Sequence, residues 1–235
     1  MYRYFIVLFI ILINCEGANG FSLSRPNGSH RKIIIAVPDT GYTAALVPNL
    51  SICSNGLIDL TGTGMQDDIG HGTNILNIIA HELKDVDYCV YVYKIYNKHK
   101  DNSAFYSMLA YMYMSYLPAL DIVNYSSSGK DEMYTEKLLI SHLTNKNIKF
   151  VAAAGNDNRN LDINCAIFPA CYKDVISVGA LDIYGQKAPY SNYGKIVKAW
   201  QLGDFICFNN ACMSGTSQAT AYETTVLAKK LYYGK

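Results

Sequence analysis

The stretch "KIIIAVPDTG", residues 32–41, sets a continuous apolar run from Ile33 to Val37 against an abrupt stop at Pro38, Asp39 and Gly41. A strand with one wet face alternates apolar and polar residues, whereas so short an unbroken run fits a strand buried on both faces of a parallel sheet. The same shape recurs in "YCVYVYKIY" (88–96), "ALDIVNYS" (119–126), "IKFVAAAGN" (148–156) and "DVISVGAL" (174–181). Helix-like stretches separate these runs at 72–83, 103–116 and 133–146, and a last helix follows from 217 to 233. Strand and helix in alternation predict an α/β fold, with a doubly wound, mostly parallel sheet, right-handed crossovers and helices on both faces. No internal repeat, low-complexity block or linker interrupts 33–233, so one domain spanning 33–235 is expected.

With 235 residues, half of them hydrophobic and 17% charged, the chain is long enough to bury a full core. Its net charge of +1 and scattered lysines lack the basic stripe of a nucleic-acid binder. The first twenty residues carry Arg3, an apolar run from Tyr4 to Ile13, and then small residues, which is the layout of a secretory signal cleaved after Gly20. A second reading takes "LINC", residues 12–15, as a lipobox, with Cys15 acylated as the only link to a membrane. Both readings export the protein. Residues 21–32 then form a short polar lead-in.

Export gives the cysteines meaning, because disulfides persist outside the cytosol. Without Cys15 six remain, and six allow fifteen connectivities. The close pairs Cys165/Cys171 and Cys207/Cys212 each flank a loop-like segment and are the expected bridges, leaving Cys53 and Cys89. No Cys-x-x-Cys spacing suggests zinc, and no metal site is expected.

In open parallel sheets functional groups collect at the carboxyl ends of strands. Asp39, Ser126 and Asn156 each end a predicted strand, and Asp39 and Asn156 each have an ordinary alternative as a turn or cap residue. His71 lies between two glycines at a helix start, unlike His30, His81, His99 and His142, which read as surface or core histidines. Ser217, in "SGTSQATAYE" (214–223), is either a helix cap or a nucleophile. Company decides between these readings: Asp39, His71 and Ser217 run in the order acid, base, nucleophile, one of the orders in which serine-protease triads occur.

Through "PDTG" around Asp39, "GHGT" around His71, "AAAGN" ending at Asn156, "SGTSQA" around Ser217 and "DIVNYSSSG" (121–129), the chain resembles the subtilisin-like serine proteases from about Ile33 to Tyr233. The resemblance implies that Ser217 attacks a peptide carbonyl, His71 shuttles the proton and Asp39 orients the ring. Asn156 would donate its side-chain amide to the oxyanion beside the Ser217 backbone N–H. An extended substrate would pair with Ser126, Ser127, Ser128 and Gly129, and its first side chain, medium-sized or apolar, would lie against Ala153, Ala154 and Gly155. A polypeptide substrate, no cofactor and a monomer are expected.

Five departures stand against the family pattern. Ser128 replaces a common glycine, Tyr222 a proline behind the serine, and Trp200 another proline. The helix after His71 also runs on without the loop that wraps calcium in many relatives, leaving only Asp157, Asp162 and other acidic loop residues for a weak site. Only about a dozen residues separate the signal from the first strand, too few for a folding-assisting propeptide. With the twenty tyrosines, these features support a second expectation, a non-catalytic peptide-binding or adhesion module on the same scaffold. An esterase is disfavoured because the Gly-x-Ser-x-Gly elbow is absent.

Overall fold

A computed structural model describes residues 31–98 and 103–234. The signal, the Cys15 lipid site, His30 and nearly all of the lead-in, together with His99, lie outside the described residues. β1 (Ile33–Asp39) occupies the middle of a seven-stranded sheet and is buried along almost its whole length, which is why its sequence does not alternate. Around it stand β2 (Ile52–Asp59), β3 (Tyr88–Lys94), β4 (Ile122–Tyr125), β5 (Lys149–Ala153), β6 (Ile176–Leu181) and β7 (Ala199–Leu202), in the order β2-β3-β1-β4-β5-β6-β7. Every neighbouring pair is parallel. The chain order reverses at β1, so the sheet is doubly wound, as expected.

Among the described residues four α-helices cover the two faces. α1 (His71–Glu82) and α4 (Thr216–Tyr233) pack on one side, where Ile75, Leu76, Ile79 and Ala219 meet Ile33, Ile35 and Val37. α2 (Ser103–Ser115) and α3 (Tyr134–Asn145) cover the other, where Tyr111, Met114 and Ile140 meet Ala36, Val123 and Phe150. Successive residues of β1 thus feed opposite cores, the period of two imposed by a pleated strand.

Four strands were not expected. β2 is an edge strand whose sequence "ICSNGLID" is partly exposed and shifts register between Ile52 and Leu57, so no clean period marks it. β7 is short and half exposed at the other edge, with Trp200 beside Gly179 of β6, so the departure from proline there serves packing. β8 (Ile206–Phe208) and β9 (Ala211–Met213) form a separate antiparallel hairpin.

The two expected disulfides are present, Cys165–Cys171 in the loop before β6 and Cys207–Cys212 across the hairpin. The remaining two cysteines pair as well, joining β2 to β3 through Cys53–Cys89. Among the described residues no helix is long and apolar enough to cross a membrane, and no group of three His, Cys, Asp or Glu side chains stands ready to hold a metal ion. Asp162 accepts backbone N–H bonds from Lys195 and Ile196.

Candidate active site

β1 delivers Asp39 at its carboxyl end, 2% exposed, and the Asp39 Oδ1 atom lies 2.7 Å from Nδ1 of His71, the first residue of α1. The Thr40 backbone N–H also donates to Oδ1, at 2.7 Å, which fixes the carboxylate. Gly72 makes the approach possible: a Cβ there would stand 2.6 Å from the Gly41 carbonyl oxygen and 3.2 Å from Asp39 Oδ1. The glycine frame of His71 therefore serves close packing behind the ring as well as the turn at Gly70.

His71 is pulled two ways. Burial favours the neutral ring, while the charge and hydrogen bond of Asp39, with a contribution from the Asp67 charge, favour the imidazolium, and the balance lies above the ordinary histidine value. His81 and His142 are exposed.

Ser217 is the second residue of α4, and Gly215 occupies the cap position with no side-chain cap bond, so the cap reading of Ser217 does not hold. Its hydroxyl instead donates to the Ser126 backbone carbonyl at 2.8 Å. No hydrogen bond joins Ser217 to His71 among the described residues. Nucleophile–base bonds are often loose in unliganded sites and tighten only with substrate.

Asn156 follows β5 at the rim and is exposed. Its Oδ1 accepts from both the backbone N–H and the hydroxyl of Thr216, each at 2.9 Å. Because a backbone N–H can only donate, the amide orientation is fixed, and Nδ2 remains as the outward donor. Gly155, at φ +94°, makes the turn that brings Asn156 there, and a Cβ on it would lie 2.5 Å from Asn192 Nδ2. Asn192 binds the Ala154 carbonyl and accepts from the backbone N–H groups of Asp157 and Arg159.

Beside Ser217 and Asn156 opens a cavity of about 290 Å³ whose lining includes Ser127, Ser128, Gly129, Ala153 and Gly155, together with Lys130, Asp157 and Ile167. Ala154 does not line it but packs into the α2/α3 core, and Ser126 presents its carbonyl to Ser217. Both backbone groups of Gly129 are engaged by Phe168, at 2.7 and 2.9 Å, which closes the expected substrate strand at its Gly129 end. The Ser127 hydroxyl meets the Tyr96 hydroxyl at 2.6 Å. A larger cavity, about 580 Å³ between the end of α1 and Phe208, contains none of these residues.

Asn192, Lys130 and Ile167 carry no local motif and were not anticipated, and Thr40, though it lies within "PDTG", was given no role. Asp67 gives one signal, an acid four residues before a histidine at a helix start, where the macrodipole favours negative charge.

A doubly wound parallel sheet with an Asp–His pair at its rim, and a serine near a helix start beside an asparagine, resembles the subtilisin-like serine peptidases. The subtilase family profile matches residues 30–232, and the chain belongs to that family. Among curated relatives it is 27% identical over 206 residues to the thermostable alkaline protease of Halalkalibacterium halodurans, covering 83% of this chain and 55% of that one. It is 28% identical over 210 residues to the minor extracellular protease Epr of Bacillus subtilis, covering 84% of this chain and 32% of that one. The chain thus spans about half and about a third of the lengths of these two relatives. Two solved structures share the fold. One is a lanthipeptide protease, with TM-score 0.72 and 19% identity, covering 85% of this chain and 72% of that one. The other is the nisin leader peptidase NisP from Lactococcus lactis, with TM-score 0.69 and 18% identity, covering 87% and 79%.

Proposed function

We propose that the protein is an exported serine endopeptidase in which Ser217 attacks a peptide carbonyl, His71 Nε2 takes its proton and returns it to the leaving amine, and Asp39 holds the ring through Nδ1. The single observation that carries this reading is the 2.7 Å contact between buried Asp39 and His71. Asn156 Nδ2 and the Ser217 backbone N–H would bind the oxyanion, a role supported by the Thr216 bonds that turn the amide outward.

The substrate would lie along Ser126–Ser128 as an added strand and place a medium, apolar side chain in the cavity against Ile167. Residues 1–20 act as the export signal, with acylation at Cys15 as the alternative anchor, 21–32 as a lead-in and 33–235 as a monomeric peptidase domain. Mass spectrometry of the mature N-terminus separates cleavage from acylation.

The proposal is tested with an unbiased peptide mixture: the protein cleaves internal bonds after medium apolar residues, and His71→Ala abolishes cleavage. A second reading, a peptide-binding module without turnover, is favoured by one observation, the engagement of the Ser217 hydroxyl by Ser126 instead of His71. It predicts saturable peptide binding with no cleaved product.

A further inference from the structure

We propose that Asp67, in the loop before α1, is a positioning residue that supplies a second buried carboxylate behind His71 and clamps both chain segments that carry the Asp–His pair. Asp67 is 8% exposed and accepts five hydrogen bonds. Oδ1 takes the Thr40 hydroxyl at 2.8 Å and the backbone N–H groups of Ile69 and Gly70 at 3.1 and 2.7 Å. Oδ2 takes the Thr73 N–H at 2.8 Å and its hydroxyl at 2.7 Å. The Thr40 hydroxyl accepts in turn from the Gly72 N–H at 2.8 Å. One carboxylate therefore ties the residue after Asp39 to the residues on both sides of His71.

Its charge is left for the histidine to answer. Among the described residues no cation lies within ion-pair distance of Asp67; the buried Lys94 ammonium donates to the Gly64 and Gln66 carbonyls and pairs at 3.9 Å with Asp68. Hydrogen bonds hold Asp67 ionised: burial alone would raise its carboxyl, and the donors from Thr73, Gly70 and Thr40 bring it below the ordinary aspartate value. The charges acting on His71 are Asp39 from β1 and Asp67 from this loop, and both favour the imidazolium. In the proposed reaction the ring becomes cationic in the transition state, so a preorganised second anion stabilises the state in which it is needed.

This inference rests on the proposed triad, and its test separates the two. In Ser217→Ala protein, the His71 imidazole is titrated by NMR with and without Asp67→Asn. We expect the midpoint to fall by about half a pH unit or more when the second anion is lost. In the active protein the same substitution lowers kcat about threefold or more and leaves KM within about twofold. An unchanged midpoint in folded Asp67→Asn protein overturns the proposal whatever the activity. If wild-type protein cleaves nothing, the triad reading fails while the titration still judges Asp67. Should Asp67→Asn not fold, the Asp67 carboxyl ¹³C signal of the Ser217→Ala protein carries the test. An inflection at the His71 midpoint supports the proposal, and its absence overturns it.

Discussion

Ser217 and Ser126 hold each other reciprocally: the Ser217 hydroxyl donates to the Ser126 carbonyl at 2.8 Å, and the Ser126 hydroxyl donates to the Ser217 carbonyl at 2.9 Å. Behind them Asn124, fully buried, donates to the Ser126 hydroxyl oxygen, and Thr224 donates to Asn124, each at 2.9 Å. The start of α4 is thereby stitched to the end of β4. Ser126→Ala orphans the Asn124 amide in the core, and chemical denaturation should show a loss of about 1–3 kcal/mol. A peptide boronate adduct should show the Ser217 oxygen bonded to boron and released from the Ser126 carbonyl.

Removing the amide of Asn156 removes the proposed oxyanion donor. Asn156→Ala should lower kcat about 10²–10³-fold with KM little changed, the magnitude found when one such donor is lost from a related site. An equal loss confined to KM would mean that Asn156 holds substrate in the ground state instead.

The pH dependence follows from His71, whose balance of burial against Asp39 and Asp67 lies above the ordinary histidine value. Catalysis needs the neutral ring, so kcat/KM should fall on the acid side with a midpoint above about 6.5. Stability runs the other way: a group with a raised folded pKa contributes stabilisation that is complete below its unfolded value and is lost as pH rises through the folded one. Urea midpoints of Ser217→Ala protein should therefore decline across that window, and His71→Ala should remove this part of the slope.

The disulfides differ in the loops they close. Cys53–Cys89 spans a sequence separation of 36 and ties edge strand β2 to the sheet, whereas Cys207–Cys212 spans 5. The chain-entropy relation gives about 4 kcal/mol for the first and about 2 kcal/mol for the second. Thermal unfolding of the two double Cys→Ser variants should rank them in that order.

How much of this was legible in the sequence depends on what each residue does. β1, β3, β4, β5 and β6 announced themselves because burial on both faces forces an unbroken apolar run, as in Ile33–Val37. The edge strand β2 did not, since exposed Ser54 and Asn55 interrupt it and its register shifts. Asp39, His71, Asn156 and Ser217 were legible because each sits in a short motif with glycine or threonine neighbours that the local geometry requires. Asp67 and Asn192 act by accepting backbone N–H groups, which any acid or amide could do, so apart from the place of Asp67 four residues before His71 only the folded structure singles them out. Ala154 was placed on the wrong side of its strand end by treating "AAAG" as one surface, whereas the strand period turns Ala154 into the core.

The proposed function requires Ser217 to be an activated nucleophile. Treatment of the folded protein with a fluorophosphonate probe, read by intact mass and peptide mapping, tests it most directly. One adduct per chain is expected, located at Ser217, absent from Ser217→Ala and strongly slowed in His71→Ala. Folded protein that stays unlabelled, or that labels equally well after Ser217→Ala, would contradict it.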